Sequence, residues 1–244
     1  HSTKIITDKT LKWLKERDKK MPFLVCAQYK TPHIHRLPPP KFMGQYDRLD
    51  FPVPQTFFDD FSTRSSFVSE TWMALKGMKG HVLNIAPSES EIKANPKLMP
   101  PFLREMTPPQ RTAWHQAYDP RNLKMKELEE SGKLNGENRP LYIYQRFIKD
   151  YIRCVDGLDD QVGRLLRYLD QAGLKDNTIV IYSSDQGFFT GEHGWAEKRW
   201  MYEESFKSPL LMRWPGVIKP GTVIDALVQN IDLAPTLLKA AKIE

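Results

Sequence analysis

The chain has 244 residues, 40% of them hydrophobic and 27% charged, with a net charge of +6. That is apolar enough to bury a sizeable core, and no apolar run approaches the roughly 20 residues that span a bilayer. Its 36 lysines and arginines are spread along the chain without an arginine-rich arm or aromatic-interleaved basic motif, so the charge suits anionic partners and argues against nucleic acid.

Taken in chain order, residues 3–20 show helical spacing through Ile6, Thr10, Trp13 and Leu14, with lysines on the other face, and predict a surface helix. Residues 23–28, FLVCAQ, read as a strand leading into Tyr29-Lys30-Thr31-Pro32-His33. From about 37 to 140 the chain is proline-rich, with Pro38-Pro39-Pro40, Pro100-Pro101 and Pro108-Pro109 as rigid punctuation. Phe57, Trp72, Trp114 and Tyr118 give this stretch apolar mass to pack, so it predicts an ordered insertion in a single domain over 1–244. Short helices are expected around 69–79 and 122–130. His115 and Arg111 are weak candidates for substrate contacts there, more simply read as structural residues.

From Tyr144, apolar residues recur every three or four positions through Phe147, Ile148, Tyr151 and Val155 to Leu169, predicting a long packing helix capped near Gly173. Gly157 is a weak point or kink in it. Asp156, Asp159 and Asp160 tempt a metal reading, but on such a helix they belong to its solvated or inter-helix face. At the other end, Asp232 is placed to cap a helix starting Leu233-Ala234-Pro235 and running to about Ala241. Cys26 and Cys154 read as small buried apolar groups, with a single bridge left open.

The most informative run is TIVIYSSDQGFFTGEHGWAEKRWMYEESFKSPLLMRWPG, residues 178–216. Thr178 to Tyr182 has the composition of a central parallel strand, so Asp185 and Gln186 fall just past its carboxyl end, where open α/β sheets place their chemistry. Their oxygens suit a hard cation such as calcium or magnesium rather than zinc, while an Asx-type turn is the plainer alternative. Gly187, Gly191 and Gly194 let backbone approach a ligand, with Glu192, His193, Lys198 and Arg199 around them. An anionic substrate is the simplest partner for His193, Lys198 and Arg199; Arg199 alternatively pairs with Glu203 or Glu204. A second apolar strand follows from Pro209 to Trp214, ended by Pro215-Gly216.

The ordered set Asp185-Gln186, Gly191 to Gly194, Lys198, Tyr202-Glu203 and Pro209 resembles the second half of the catalytic domain of the type I sulfatases, in the alkaline phosphatase superfamily. The Pro32-His33 pair after the 23–28 strand resembles that family as well. The resemblance implies an α/β fold, a mostly parallel sheet with helices on both faces. It implies that Asp185 and Gln186 ligate a calcium ion, magnesium being the variant. It also places Lys198 as a catalytic group bridging a sulfate oxygen to the leaving-group side, and His33 as donor or general acid to the departing alcohol. His193 and Arg199 become substrate-binding candidates. Within the family, Ser184 to Gly187, the Gly-Glu-His-Gly loop and the Lys-Arg-x-Met-Tyr-Glu-Glu-Ser run are most similar to bacterial N-acetylglucosamine-6-sulfatases and mucin-desulfating enzymes. The implied partner is a sulfated carbohydrate, and the implied location is periplasmic, secreted or otherwise exported.

One part of the family pattern is missing. The family's nucleophile is a formylglycine made from a Cys or Ser in a Cys/Ser-x-Pro/Ala-x-Arg motif, and neither Cys26 nor Cys154 stands in one. The N-terminal strand with paired metal-binding Asp residues is also absent, as is any signal peptide. The chain is therefore expected to be an incomplete catalytic domain, inactive alone and a poor calcium binder, with the formylglycine outside it. Two rivals remain at this level: a phosphodiesterase or phosphonate hydrolase of the same superfamily, and a non-catalytic polyanion-binding module.

Overall fold

The computed structural model describes residues 2–78, 80–136 and 138–243, with side-chain exposure undescribed at His81. Its helices are α1 (Ser2–Glu16), α2 (Ser66–Ser69), α3 (Glu89–Ala94), α4 (Pro101–Arg104), α5 (Pro108–Glu130), α6 (Asn138–Gln171), α7 (Glu203–Phe206) and α8 (Leu233–Ala240). The strands are β1 (Val180–Ser183), β2 (Phe189–Thr190), β3 (Ala196–Glu197) and β4 (Leu210–Arg213). They fall into two compact units: one runs through Ala172 and takes in Phe189–Glu197, the other comprises Gly173–Phe188 and the chain from Lys198 onward.

The first unit is built on α6, whose apolar stripe buries Ile143, Phe147, Cys154 and Leu158. The helix runs unbroken through Gly157, correcting the expected kink. A Cβ at Gly157 would stand 2.7 Å from Pro39 Cδ, so glycine is there to let the proline turn lie against the helix. The acidic residues nearby serve packing rather than metal: Tyr46 donates to Asp156 at 2.8 Å and Lys41 pairs with Asp160 at 3.0 Å. Past α6, Gly173 takes φ +66°, the left-handed conformation of a helix stop.

The proline-rich stretch is ordered, but two of its parts differ from expectation. In place of a short helix at 122–130 stands the 23-residue α5, with proline in its first turn and Gln110 Oε1 accepting from Thr107 N at 2.8 Å. Proline is tolerated in a first turn, where its missing N–H has no intrahelical partner, so Pro108-Pro109 start the helix rather than interrupt the chain. At 69–79, whose last residue lies outside the described residues, the structure instead has α2 ending at Ser69 and a 3₁₀ turn at Leu75–Gly77. Trp114 and Tyr118 of α5 join Met43, Ile92, Phe102 and Leu103 in a buried core.

Residues 23–30 alternate half-buried and exposed without a break, the pattern of a strand with one packed face. The packed face meets α1: Phe23 lies edge-on to Trp13 at 6.4 Å, and Tyr29 Oη is 2.8 Å from Thr7 Oγ1. Among the described residues this segment has no ladder partner, so it is extended chain rather than the predicted strand. Its other face leaves Cys26 exposed, correcting the buried reading, whereas Cys154 is buried; both thiols are free.

In the second unit β1 pairs with β4 antiparallel, Val180 opposite Arg213 and Ser183 opposite Leu210. β2 and β3 of the first unit are antiparallel too. This corrects the parallel reading of the 178–182 strand. A parallel return needs a crossover of a dozen or more residues, usually a helix. Between β1 and β4 the second unit has only the four-residue α7, so the chain returns antiparallel. The terminal helix starts as expected at Leu233, but Asp232 does not cap it: its Oδ2 accepts from Gln229 N at 2.8 Å, closing the preceding 3₁₀ turn.

Candidate functional site

The expected site residues divide between the two units, and each group is positioned within its own. In the second unit Asp185 and Gln186 follow β1 directly. The next residue, Gly187, donates its N–H to Ser205 O at 2.8 Å, and a Cβ there would lie 2.1 Å from Glu204 O. Only glycine allows the exit of β1 to press against the backbone of α7, which fixes where Asp185 and Gln186 leave the sheet. Asn230 Nδ2 adds a bond to Asp185 O at 3.2 Å.

The Asp185 carboxylate is exposed and, among the described residues, meets Ser184 Oγ at 3.3 Å and no cation. Two adjacent oxygen donors match the chemistry of a hard cation in kind. They fall short in number, since calcium takes six to eight oxygens. Among the described residues no group of three or more His, Cys, Asp or Glu side chains is arranged to hold a metal.

Lys198 is half-buried, with Nζ 5.8 Å from the centroid of the Phe188 ring. Among the described residues it has no carboxylate partner within 4 Å. Arg199 is exposed and, among the described residues, forms no ion pair with Glu203 or Glu204, the alternative the sequence offered.

In the first unit His33 is exposed, with Nδ1 2.8 Å from Ile34 O. A carbonyl oxygen only accepts, so Nδ1 carries a hydrogen and the other ring nitrogen, Nε2, is the one left to meet a substrate. The peptide bonds preceding Pro32 and His35 on either side of it are cis.

The Gly-Glu-His-Gly loop belongs to this first unit, and its contacts are internal. Thr190 N donates to Glu192 Oε2 at 2.6 Å, closing the β2–β3 turn. His193 is buried at 9% exposure, with Nδ1 2.7 Å from Asp59 Oδ2, and its backbone N–H meets Thr56 Oγ1 at 3.2 Å. Trp195 stacks on Phe61 at 5.1 Å and meets Phe189 edge-on at 5.3 Å. A hydrogen bond from Arg64, followed by those from His193 and the Phe61 N–H, draws the Asp59 carboxyl down to about 2, against the desolvation that opposes it. The three loop glycines admit protein rather than ligand: Gly187 abuts α7, Gly191 the Tyr144 ring and Gly194 the Phe57 carbonyl.

His115 and Arg111 are structural. His115 Nδ1 bonds Asp119 Oδ1 at 2.9 Å, and Arg111 donates to Met106 O at 2.5 Å.

Two buried residues that sequence reasoning passed over pair within the first unit. Arg36 Nη2 donates to Glu197 Oε1 at 3.3 Å, with the Arg36 side chain fully buried and that of Glu197 nearly so. Neighbouring in the same unit, Asn84 Nδ2 donates to Arg36 O and Asp150 Oδ2, both at 2.8 Å, while Tyr118 and Arg153 satisfy Asp150 Oδ1 at 2.9 and 2.7 Å. The sequence signal was faint: charged residues in apolar surroundings, partnered across 161 positions in one case.

The sulfatase family model matches residues 1–243, and the chain belongs to that family. Its relatives narrow the comparison. It is 36% identical over its whole length to an N-acetylglucosamine-6-O-sulfatase of Bacteroides thetaiotaomicron, covering 43% of that protein. Over 85 residues, 34% of this chain and 15% of the relative, it is 45% identical to the human N-acetylglucosamine-6-sulfatase.

The structure of BT4656 in complex with its substrate D-glucosamine-2-N,6-O-disulfate superposes with TM-score 0.92 at 35% identity, covering all of this chain and 49% of that one. A putative sulfatase, yidJ, from Bacteroides fragilis shares the fold at TM-score 0.57 and 22% identity, over 97% of this chain and 36% of that one. The chain thus spans less than half the length of the curated relatives it matches.

Proposed function

We propose that this chain is part of a sulfuric ester hydrolase that removes sulfate from sulfated amino sugars. The observation that carries the reading is the whole-chain likeness, at TM-score 0.92, to a sulfatase solved with a glucosamine disulfate. The whole-length identity to an N-acetylglucosamine-6-O-sulfatase supports it further. The phosphonate hydrolase and polyanion-binding alternatives have no comparable support.

In this reading each candidate has a role its local geometry permits. When the S–O bond of the ester breaks, the electron pair goes to the sugar oxygen, which needs a proton. His33, with Nδ1 held by Ile34 O, carries that proton on the outward Nε2 and delivers it as general acid. Lys198 offers an ammonium with three donors and no competing carboxylate among the described residues, and in this reading it neutralises a sulfate oxygen and the leaving oxygen. Asp185 and Gln186 supply two of the oxygens that hold a divalent cation, calcium or magnesium, which when bound adds positive charge against the sulfate. The nucleophile is a formylglycine supplied from outside this sequence.

Arg199, exposed, meets an anionic substituent of the sugar. His193, its Nδ1 taken by Asp59, is the further substrate-binding candidate. Among the described residues no helix is long and apolar enough to cross a membrane. Membership of the sulfatase family supports a periplasmic, secreted or otherwise exported setting.

The test is sulfate release by a full-length sulfatase carrying this chain, on N-acetylglucosamine 6-sulfate and on matched phosphate and phosphonate esters. Release from the sulfated sugar at least ~10²-fold faster than from either rival ester, lost on chelation, is expected. Preference for the phosphonate, or binding of sulfated glycans without turnover, would replace the reading.

A further inference from the structure

His33 stands on a loop, residues 31–36, that has no ladder partner among the described residues and is held by side chains instead. At its start Thr31 Oγ1 lies 2.8 Å from Thr3 Oγ1 of α1. Near its end the His35 ring stacks on Phe102 at 5.3 Å, and Arg36 closes it. Arg36 is the deepest of these points, at 1% exposure, whereas His33 itself is exposed.

Arg36 is fixed from three sides, all within the first unit. Its Nη2 donates to Glu197 Oε1 at 3.3 Å, its guanidinium lies over the Phe147 ring of α6 at 4.8 Å, and its backbone oxygen accepts from Asn84 Nδ2 at 2.8 Å. From there the physical path to the imidazole is short. Ile34, two residues before Arg36, supplies the carbonyl oxygen that accepts from His33 Nδ1 at 2.8 Å and so orients the ring. Moving the Arg36 end of the loop therefore moves the oxygen that aims His33.

A buried ion pair adds little net stability, because desolvating two charges offsets most of their attraction. An apolar side chain of similar volume would fill the space beside Phe147 without that cost. A buried arginine at the foot of a loop carrying a candidate general acid fits a role in fixing geometry, since the exposed ring has little packing of its own to restrain it.

We propose that Arg36 is a positioning residue for sulfate ester hydrolysis: paired with Glu197, it holds the 31–36 loop so that His33 Nε2 meets the departing sugar oxygen. The proposal rests on the reading of His33 as general acid. Without the anchor the imidazole is present but misplaced, and a misplacement of about 1 Å costs on the order of 10²-fold in rate. That loss lies within the roughly 10²–10⁴-fold that a general acid supplies.

The experiment is a double-mutant cycle in a full-length sulfatase carrying this chain, with R36M and H33A, turning over N-acetylglucosamine 6-sulfate. R36M lowers kcat by about 10²-fold with KM changed less than about threefold, because the anchor acts on the reacting geometry. In the H33A background, adding R36M changes kcat by less than about threefold, since the group it positions is gone.

M125A, a truncation of a buried α5 side chain in the same unit, serves as the destabilised control and leaves kcat per folded enzyme near wild type. R36M leaves Glu197 buried without its cation; should it fail to fold, R36M/E197Q, which removes both charges, carries the same cycle. A loss as large in the H33A background as in the wild type, or a kcat loss no greater than that of M125A, overturns the proposal. An unchanged kcat in H33A alone is a different result: it removes the reading of His33 as general acid, and the positioning role with it.

Discussion

His193 Nδ1 stands 2.7 Å from Asp59 Oδ2, across 134 positions of sequence, and ties the Gly-Glu-His-Gly loop to the turn at 56–64. Asp59 also accepts from Arg64 and from the Phe61 N–H, so its ionised form is held by three donors. Its carboxyl lies at about 2 rather than the usual 3.8. A depressed carboxylate contributes stability that is fully present above its unfolded value and lost as pH falls through its folded value. D59N is therefore expected to melt below wild type at pH 7 by roughly 2–6 °C, and the gap to close between about pH 4 and pH 2. Paired thermal melts across that window check this; a gap independent of pH would place the loop's stability elsewhere.

Gly157 offers a purely steric test. An added methyl meets Pro39 Cδ at 2.7 Å and Cγ at 2.8 Å, both atoms of a rigid ring. Although alanine is the better helix former by about 1 kcal/mol, the clash dominates, and G157A is expected to destabilise by about 1–3 kcal/mol. Urea unfolding at constant slope measures it; a stabilised variant would mean the turn at Pro39 yields freely.

The two thiols should behave oppositely. Cys26 is exposed, while Cys154 is buried among α6 neighbours, where burial first and the nearby Asp150 second push its thiol far up. Native alkylation at pH 8 followed by mass spectrometry is expected to label Cys26 fully before Cys154 reacts, because the thiolate is the reactive form. Equal labelling would contradict the packing of α6.

Asp150 is the acceptor on which Asn84, Tyr118 and Arg153 converge. Removing it leaves the buried Tyr118 hydroxyl without its acceptor and one arm of Arg153 unpaired, while the rest of that guanidinium keeps Asp47 and Gln45 O, so D150A is expected to cost about 2–4 kcal/mol, whereas Y118F removes one donor and costs about 1 kcal/mol. Denaturant titration of both variants gives the comparison, and equal costs would show that the network is not centred on Asp150.

What the sequence made legible follows from how local each cause is. The apolar stripe of α6, the start of α8 at Leu233 and the strands at 180–183 and 210–213 rest on periodicity and turn residues within a few positions, and they stand nearly where expected. The helix α5 was also written locally, in Thr107-Pro108-Pro109-Gln110, but prolines read as breaks concealed a helix start. Pairing was not legible. The antiparallel partnership of β1 with β4, the tie of His193 to Asp59 and the Arg36–Glu197 pair each depend on chain brought together over tens to more than a hundred positions. No spacing rule encodes that. Asp185, Gln186, Lys198 and His33 are candidates because their order along the chain matches a family pattern, whereas buried partners such as Arg36 and Asp59 carry no motif of their own.

The proposed function makes this chain the carrier of working residues of a sulfatase acting on sulfated amino sugars. Its most direct test is kcat/KM for sulfate release from N-acetylglucosamine 6-sulfate by a full-length sulfatase carrying this chain, comparing wild type with K198A and D185A. Measurable release is expected, falling by at least about 10²-fold in each variant, with fold and melting temperature retained. Release that is unchanged in both variants would contradict it.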